Sequence, residues 1–417
     1  MKRRNLLLAG AAGTAGLIAL ARPRDRGDAH PEFFEQLSAA LDNAGAAKPT
    51  LIVDRTQLRR NVAILKNHLQ DRFDYRIVAK SLPSLSLLED IMSASDSHRL
   101  MLFHQPFVNA VATQLPDADI LLGKPMPAAA AHNFYREFKG GTFDPARQLQ
   151  WLVDTPERMR QYSALASAQN TTMRVSIELD VGLHRGGVSD DHQLLDMLST
   201  LQASPYLSLS GLMGYEPHII KIPGDVIGYR DKAMGMYEHY LQLTKHTLGA
   251  AWPEQPVLNA AGSPTYQLYN RGQFPCNELA AGSCLVKPTD FDLPTLADHS
   301  PASWIAAPVL KTEDSLRIPG IDLGPLQSLW DPNRARTFFT YGGYWKAEPV
   351  SPPGLRYNTL YGRSTNQEML NGSSKVPLAP DDWIFLRPTQ SEFVFLQFGD
   401  IAVLDNGVIV DHWPVFS

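Results

Sequence analysis

The sequence predicts an α/β protein: a (β/α)8 TIM-like barrel followed by a mostly-β carboxy-terminal domain. Two observations carry this expectation. From Pro49 to about residue 290, short apolar β-rich runs alternate with helix-period segments, as expected of parallel strands joined by crossover helices. From about residue 295 the character changes, and Gly/Pro/Asn/Ser-rich stretches separate short β-rich runs.

In chain order the candidate strands begin with TLIVD (50–54), YRIVA (75–79), RLMLF (99–103) and ADILLG (118–123). They continue with LQWLVD (149–154), MRVSIELD (173–180), LSLSGLMGY (207–215) and QPVLNA (255–260). Between the first two, QLRRNVAILKNHL places Leu58, Val62, Leu65 and Leu69 on one helical face. TPERMRQYSALASA opens with Thr155 as N-cap, Pro156 just inside and Glu157 in the first turn. Eight strands alternating with helices fit a closed barrel better than an open doubly wound sheet. No Gly-rich dinucleotide fingerprint follows the first strand, which argues against a nicotinamide enzyme. In the tail, PPGLRYN, YGRSTNQ and NGSSKVPLAPDDW separate runs such as RTFFTYGG, WIFLRP and EFVFLQF, and DNG inside DIAVLDNGVIVDHWPVF marks a hairpin. The expected organisation is a signal segment over 1–25, a barrel over 45–290 and a β domain over 295–417.

Bulk properties narrow the function. The 417-residue chain is 44% hydrophobic and 19% charged, ordinary values for a protein with a substantial core. A net charge of −5 gives no basic footprint, so no nucleic-acid partner is expected. Cys276 and Cys284 are too few for a disulfide framework or a cysteine-rich zinc site, and they read as small buried residues. At the amino terminus, Lys2, Arg3 and Arg4 precede an uncharged apolar stretch from Leu6 to Ala21, with a small-x-small site at Ala19-Leu20-Ala21. That is signal-peptide anatomy, and the paired arginines before Asn5-Leu6-Leu7 resemble a twin-arginine export signal. An exported or periplasmic protein is expected, with no membrane association once the signal is cleaved. An uncleaved anchor is the lesser alternative, since the run is short for a spanning helix of roughly 20 residues.

On a barrel, functional residues gather at the carboxyl ends of the strands. In YRIVAKSLPS (75–84) a lysine, Lys80, stands where an apolar run leaves the core. It is either a snorkelling surface lysine or an amine used for carbonyl chemistry. IELDVGLHRGGV (177–188) places Asp180, His184 and Arg185 in a loop loosened by three glycines. GLMGYEPH (211–218) offers Tyr215, Glu216 and His218, and NAAGSPTY (259–266) is a small-residue turn with the Ser263 and Thr265 hydroxyls. Such a turn can hold a phosphate through backbone N–H dipoles. A lysine, a cation and a phosphate cradle on one barrel face are what pyridoxal phosphate requires.

On these residues the chain resembles the fold-type III pyridoxal phosphate enzymes, which carry an alanine-racemase-like amino-terminal barrel. Within them it is nearest the D-threonine aldolase and D-serine dehydratase group, from about Pro49 to the carboxy terminus. ELDVGLHRGGV matches that group's acidic-x-Asp-x-Gly-x-x-Arg-x-Gly signature. GYEPH resembles its Gly-Tyr-Glu-Gly-His element, AGSPTY its Gly-Ser/Thr phosphate turn and ELAAGS its Glu-Leu-x-x-Gly-Ser segment. The resemblance implies Lys80 as the Schiff-base lysine and Arg185 as a contact to the cofactor ring or substrate carboxylate. It further implies Tyr215 as a cofactor-lining residue, and Ala261, Gly262, Ser263 and Thr265 as the phosphate site. A homodimer is the family habit.

The chain also departs from that group. Members usually show Arg-Pro-His-x-Lys-Thr-His around the lysine, whereas Arg76-Ile77-Val78-Ala79-Lys80-Ser81-Leu82 lacks both histidines. Where they carry a metal-binding histidine pair near the carboxy terminus, this chain has Pro388-Thr389-Gln390-Ser391-Glu392. Gln390 and Glu392 make at best a weak half-site for a divalent metal, because a neutral amide replaces imidazole poorly. His412 reads as a surface or packing residue. The resemblance implies a lyase of aldolase or dehydratase type on a small D-amino acid, possibly 3-hydroxylated. The alternatives are an amino-acid racemase, a non-catalytic pyridoxal-phosphate-binding protein, and a barrel hydrolase using Glu178 and Asp180 as paired carboxylates.

Overall fold

The structure is a computed structural model that describes residues 22–314 and 330–417. The expected signal segment therefore lies, apart from residues 22–25, outside the described residues. The first strand, β1 (Thr50–Asp54), is buried along most of its length but does not belong to the barrel. The closed parallel barrel runs through β2 (Asp74–Val78), β3 (Arg99–Leu102), β4 (Asp119–Leu122) and β5 (Leu149–Val153). It continues through β6 (Met173–Leu179), β7 (Leu207–Gly214), β8 (Val257–Ala260) and β9 (Glu278–Ala281), which pairs back to β2. The expected set of eight is thus shifted by one. TLIVD drops out and ELAA, part of the quoted ELAAGS segment, closes the ring. A run buried on both faces looks the same whether its sheet is a barrel or open.

Helix starts follow the sequence. Asp54, Thr155 and Asp190 each accept a backbone N–H three residues on, from Gln57, Arg158 and Gln193. The Arg55–Leu69 helix buries Leu58, Val62, Leu65 and Leu69, the expected stripe. Where β2 meets β9, Arg76 is fully buried. Its Nε and one Nη donate to the two Glu278 oxygens at 2.5 and 2.8 Å, and the same Nη reaches Asp119 Oδ1 at 2.6 Å. The other Nη donates to the Leu100 and Asp119 carbonyls. All five guanidinium donors are used. Burial opposes the charge, but Glu278 and Asp119 outweigh it and hold the Arg76 pKa above its ordinary value. Glu278 also accepts from Arg99 and Asn259.

The second sheet has nine strands. It joins β1 to β10 (Ser303–Glu313), β11 (Arg336–Tyr341), β12 (Ala347–Ser351), β13 (Arg356–Tyr357), β14 (Gln367–Gly372), β15 (Trp383–Pro388), β16 (Asp400–Asp405) and β17 (Val408–Pro414). The path β13-β14-β11-β10-β1-β16-β17 forms its body, with β15 on β10 and β12 on β15. The Glu32–Asn43 helix, which the strand pattern did not signal, packs Phe34, Leu37 and Leu41 into a core with Trp304, Trp383 and Phe385. The chain divides into two compact units, each discontinuous in sequence. One comprises residues up to Ile52, Ser303–Thr389 and Ala402–Asp411; the other comprises Val53–Ala302, Gln390–Ile401 and His412–Ser417. Among the described residues, no helix is long and apolar enough to cross a membrane.

Removing one member of a buried ion pair strands the other charge. Glu278→Ala should lower the unfolding free energy by about 3–5 kcal/mol, read as a fall in the denaturant midpoint. A change within error would show that Arg76 is satisfied without Glu278.

Candidate active site

The carboxyl ends of the barrel strands frame a cleft with about 590 Å³ of empty space, part of it open to solvent. β2 ends at Val78, and Lys80 follows in a short 3-10 turn, Ala79–Ser81. The lysine lies over the Phe103 ring, its Nζ 4.8 Å from the centroid. The same nitrogen is 3.0 Å from Glu392 Oε1, and both side chains are more than a third exposed (37% and 40%). The amine is therefore ion-paired rather than desolvated.

Arg185 comes from the glycine loop after β6, which Asp180 organises. Asp180 Oδ1 accepts the Gly182 and His184 backbone N–H groups, and Oδ2 meets His184 Nδ1 at 2.7 Å. Burial pushes the Asp180 carboxyl up, but these contacts outweigh it and hold it below its ordinary range. Arg185 stacks on the Tyr215 ring at 5.2 Å. Burial raises the Tyr215 hydroxyl to about 12, against the opposing pull of Arg185. Glu178 and Asp180 do not line the cleft, so the paired-carboxylate arrangement of a hydrolase is not assembled there. Burial and the neighbouring Asp154 raise the Glu178 carboxyl to about 7.

The turn after β8 is held from beneath. Glu216 is fully buried and accepts the Ala261 N–H at 3.2 Å and the Thr265 hydroxyl at 2.9 Å. Thr265 Oγ1 in turn accepts the Gly262 N–H. Ala261 has φ +67°, a left-handed conformation uncommon for alanine. A Cβ on Gly262 would come 2.7 Å from the Tyr215 ring, and one on Gly282 2.5 Å from the Val78 carbonyl, so both positions exclude a side chain. Ser263 Oγ accepts the Gly282 and Cys284 N–H groups, and Ser81 Oγ bonds Ser283 Oγ at 2.8 Å.

Of the residues expected at the site, Lys80, Arg185, Tyr215, Ala261, Gly262 and Ser263 line this one cleft, and Thr265 does not. Thr265 lies buried against Glu216 and shapes the turn. The sequence reading did not single out Ser81, Phe103, Asn259 or Ser283, which also line the cleft. For Ser283 the signal was present in ELAAGS; for Phe103 there was none. Gln390 Nε2 donates to Asp290 Oδ2 at 2.9 Å, while Glu392 faces Lys80. An amide and a single carboxylate, engaged in this way, do not fit a divalent metal. Among the described residues, no group of three or more His, Cys, Asp or Glu side chains is placed to hold one. His412 pairs with Asp400 at 3.5 Å. Cys276 and Cys284 are buried and unpaired, and burial raises the Cys284 thiol to about 12.

A lysine just after the first barrel strand, an arginine on a glycine loop and a serine-lined turn are brought together at one end of the barrel. The alanine racemase amino-terminal domain family matches residues 53–290, and the chain belongs to it. That fold-type III family binds pyridoxal phosphate. No curated protein matches the chain. Among solved structures, D-threonine aldolase from Filomicrobium marinum superposes with a TM-score of 0.70 at 17% identity, over 89% of this chain and 95% of that one. D-threo-3-hydroxyaspartate dehydratase from Delftia sp. HT23 gives 0.67 at 16%, over 89% and 97%. Alanine racemase from Bacillus anthracis gives 0.66 at 14%, over 88% and 97%. These likenesses bear on the fold.

Glu216 tests the turn. Glu216→Ala leaves the Ala261 N–H and Thr265 hydroxyl without their acceptor and should cost about 1–3 kcal/mol of stability. Burial raises the Glu216 carboxyl from its ordinary 4.5 to about 7, with Thr265 and Ala261 opposing. The folded chain then holds more protons than the unfolded one between these values, so stability should fall as pH rises from 4.5 to 7. Glu216→Gln should flatten that slope, measured by denaturant unfolding at several pH values. An unaltered slope would remove Glu216 from the account.

Proposed function

We propose that the protein is a pyridoxal-phosphate-dependent lyase, of aldolase or dehydratase type, acting on a small D-amino acid that carries a 3-hydroxyl. The observation that carries this reading is the convergence of Lys80, Arg185, Tyr215 and the Ser263 turn on a single cleft. The residues present fit the cofactor. Lys80 offers the amine for its carbonyl, and Ser263, Ser81 and Ser283 offer hydroxyls to its phosphate beside a turn that excludes side chains at Gly262 and Gly282. Tyr215 presents an aromatic wall. Arg185 offers a guanidinium to the ring or to the substrate carboxylate.

Bound pyridoxal phosphate supplies an electron sink for the pair released when a bond to Cα breaks. The chain's own residues do the rest. Lys80 would hold the cofactor's carbonyl and, as a neutral amine, would serve as the base for the proton at Cα. Phe103 keeps one side of its ammonium dry. Tyr215 and Met213 wall the cleft against water. The resemblance of the Arg185 segment and of the carboxy-terminal domain to the lyases supports cleavage of Cα–Cβ or loss of a 3-hydroxyl over racemisation. No step is assigned to a metal. The twin-arginine-like amino terminus supports export of the folded protein, and the family habit supports a homodimer.

The purified protein should show the visible absorbance of a bound pyridoxal group, and Lys80→Ala should lose it. A D-amino-acid panel, assayed with and without chelator for carbonyl product and for chiral inversion, separates lyase from racemase. A colourless wild-type protein would refute the reading. A coloured protein that leaves every amino acid unchanged would identify a binding protein instead.

A further inference from the structure

Among the described residues, the ionisable side chains that line the cleft are Lys80, Arg185, Tyr215 and Glu392. Glu392 is the sole carboxylate in that set. It sits on the Gln390–Ile401 segment that returns to the barrel unit, where the Gln390 amide bonds Asp290. Its Oε1 lies 3.0 Å from Lys80 Nζ. We propose that Glu392 is a specificity-determining residue that favours amino acids with a hydrogen-bond donor on the side chain and rejects those with a second carboxylate.

The inference rests on Lys80 as the cofactor lysine. With that amine either bound to the cofactor or acting as a neutral base, Glu392 would no longer face the ammonium it now pairs with. A substrate amino group held at the same cofactor carbon would lie close to where Nζ stands. A 3-substituent is only a few bonds from that nitrogen, within reach of Oε1. A hydroxyl there donates to the carboxylate, and a charge-assisted bond of this kind is among the stronger polar contacts. Arg185 is the one guanidinium lining the cleft, enough for at most one substrate carboxylate. A second carboxylate would meet Glu392, with Asp290 close to the same segment, and like charges brought together are an effective means of rejection.

The test compares D-serine and D-threonine with D-threo-3-hydroxyaspartate, on wild-type protein and Glu392→Gln. Glu392 is two-fifths exposed, so the variant should fold. Dissociation constants come from the change each amino acid produces in the visible spectrum of the cofactor-loaded protein, with kcat/KM measured alongside. Wild type should favour the monocarboxylates by at least about tenfold, and Glu392→Gln should shrink that preference about tenfold, mainly through tighter binding of the dicarboxylate. An unchanged ratio in a protein that carries the pyridoxal band overturns this proposal alone. A wild-type protein without the band overturns it together with the reading it rests on.

Discussion

Closure of the barrel between β2 and β9 is the constraint on which the site depends. Those strands stand far apart in sequence, yet Arg76 on one and Glu278 on the other meet at 2.5 Å with no solvent access. Such a pair is costly to bury, and it is tolerable here because every guanidinium donor has an acceptor. A few residues further along each strand, the two chains leave the barrel side by side. Lys80 and Ser81 emerge from one and Gly282 and Ser283 from the other, joined by the Ser81–Ser283 hydroxyl bond. The amine and one wall of the cleft are thus set by the same strand pairing.

The opposite wall is set differently. Burying the Glu216 carboxylate fixes the Ala261–Thr265 turn, and that turn tolerates no side chain at Gly262 because Tyr215 stands against it. Tyr215 in turn takes the face of Arg185, whose loop is held by Asp180. The turn and the glycine loop are thus each held by a carboxylate that does not line the cleft, Glu216 and Asp180. The arrangement is preformed, which limits the ordering that a ligand must impose.

Much of the fold was legible because the barrel strands are buried on both faces and their helices carry clean apolar stripes and caps. The same property hid the register. TLIVD and ELAA differ little as sequences, and only long-range pairing decides which one closes the ring. The glycine loop of Arg185 and the turn at Ser263 were legible because small residues in such number have few other uses. Phe103 and the partnership of Glu392 with Lys80 were not, since neither residue type is unusual and the contact spans most of the chain. Thr265 was expected to face a ligand; the pattern cannot tell a hydroxyl turned into a cleft from one turned to a buried carboxylate.

The discontinuous division of the chain has a consequence for how the protein is made. Residues 390–401 and 412–417 group with a barrel whose strands all precede them in the chain. A ribosome releases the ring of strands, the lysine and the serine turn early, while the carboxylate opposite the lysine is still to be synthesised. Until residue 392 has been made, the barrel presents its amine with no carboxylate opposite it.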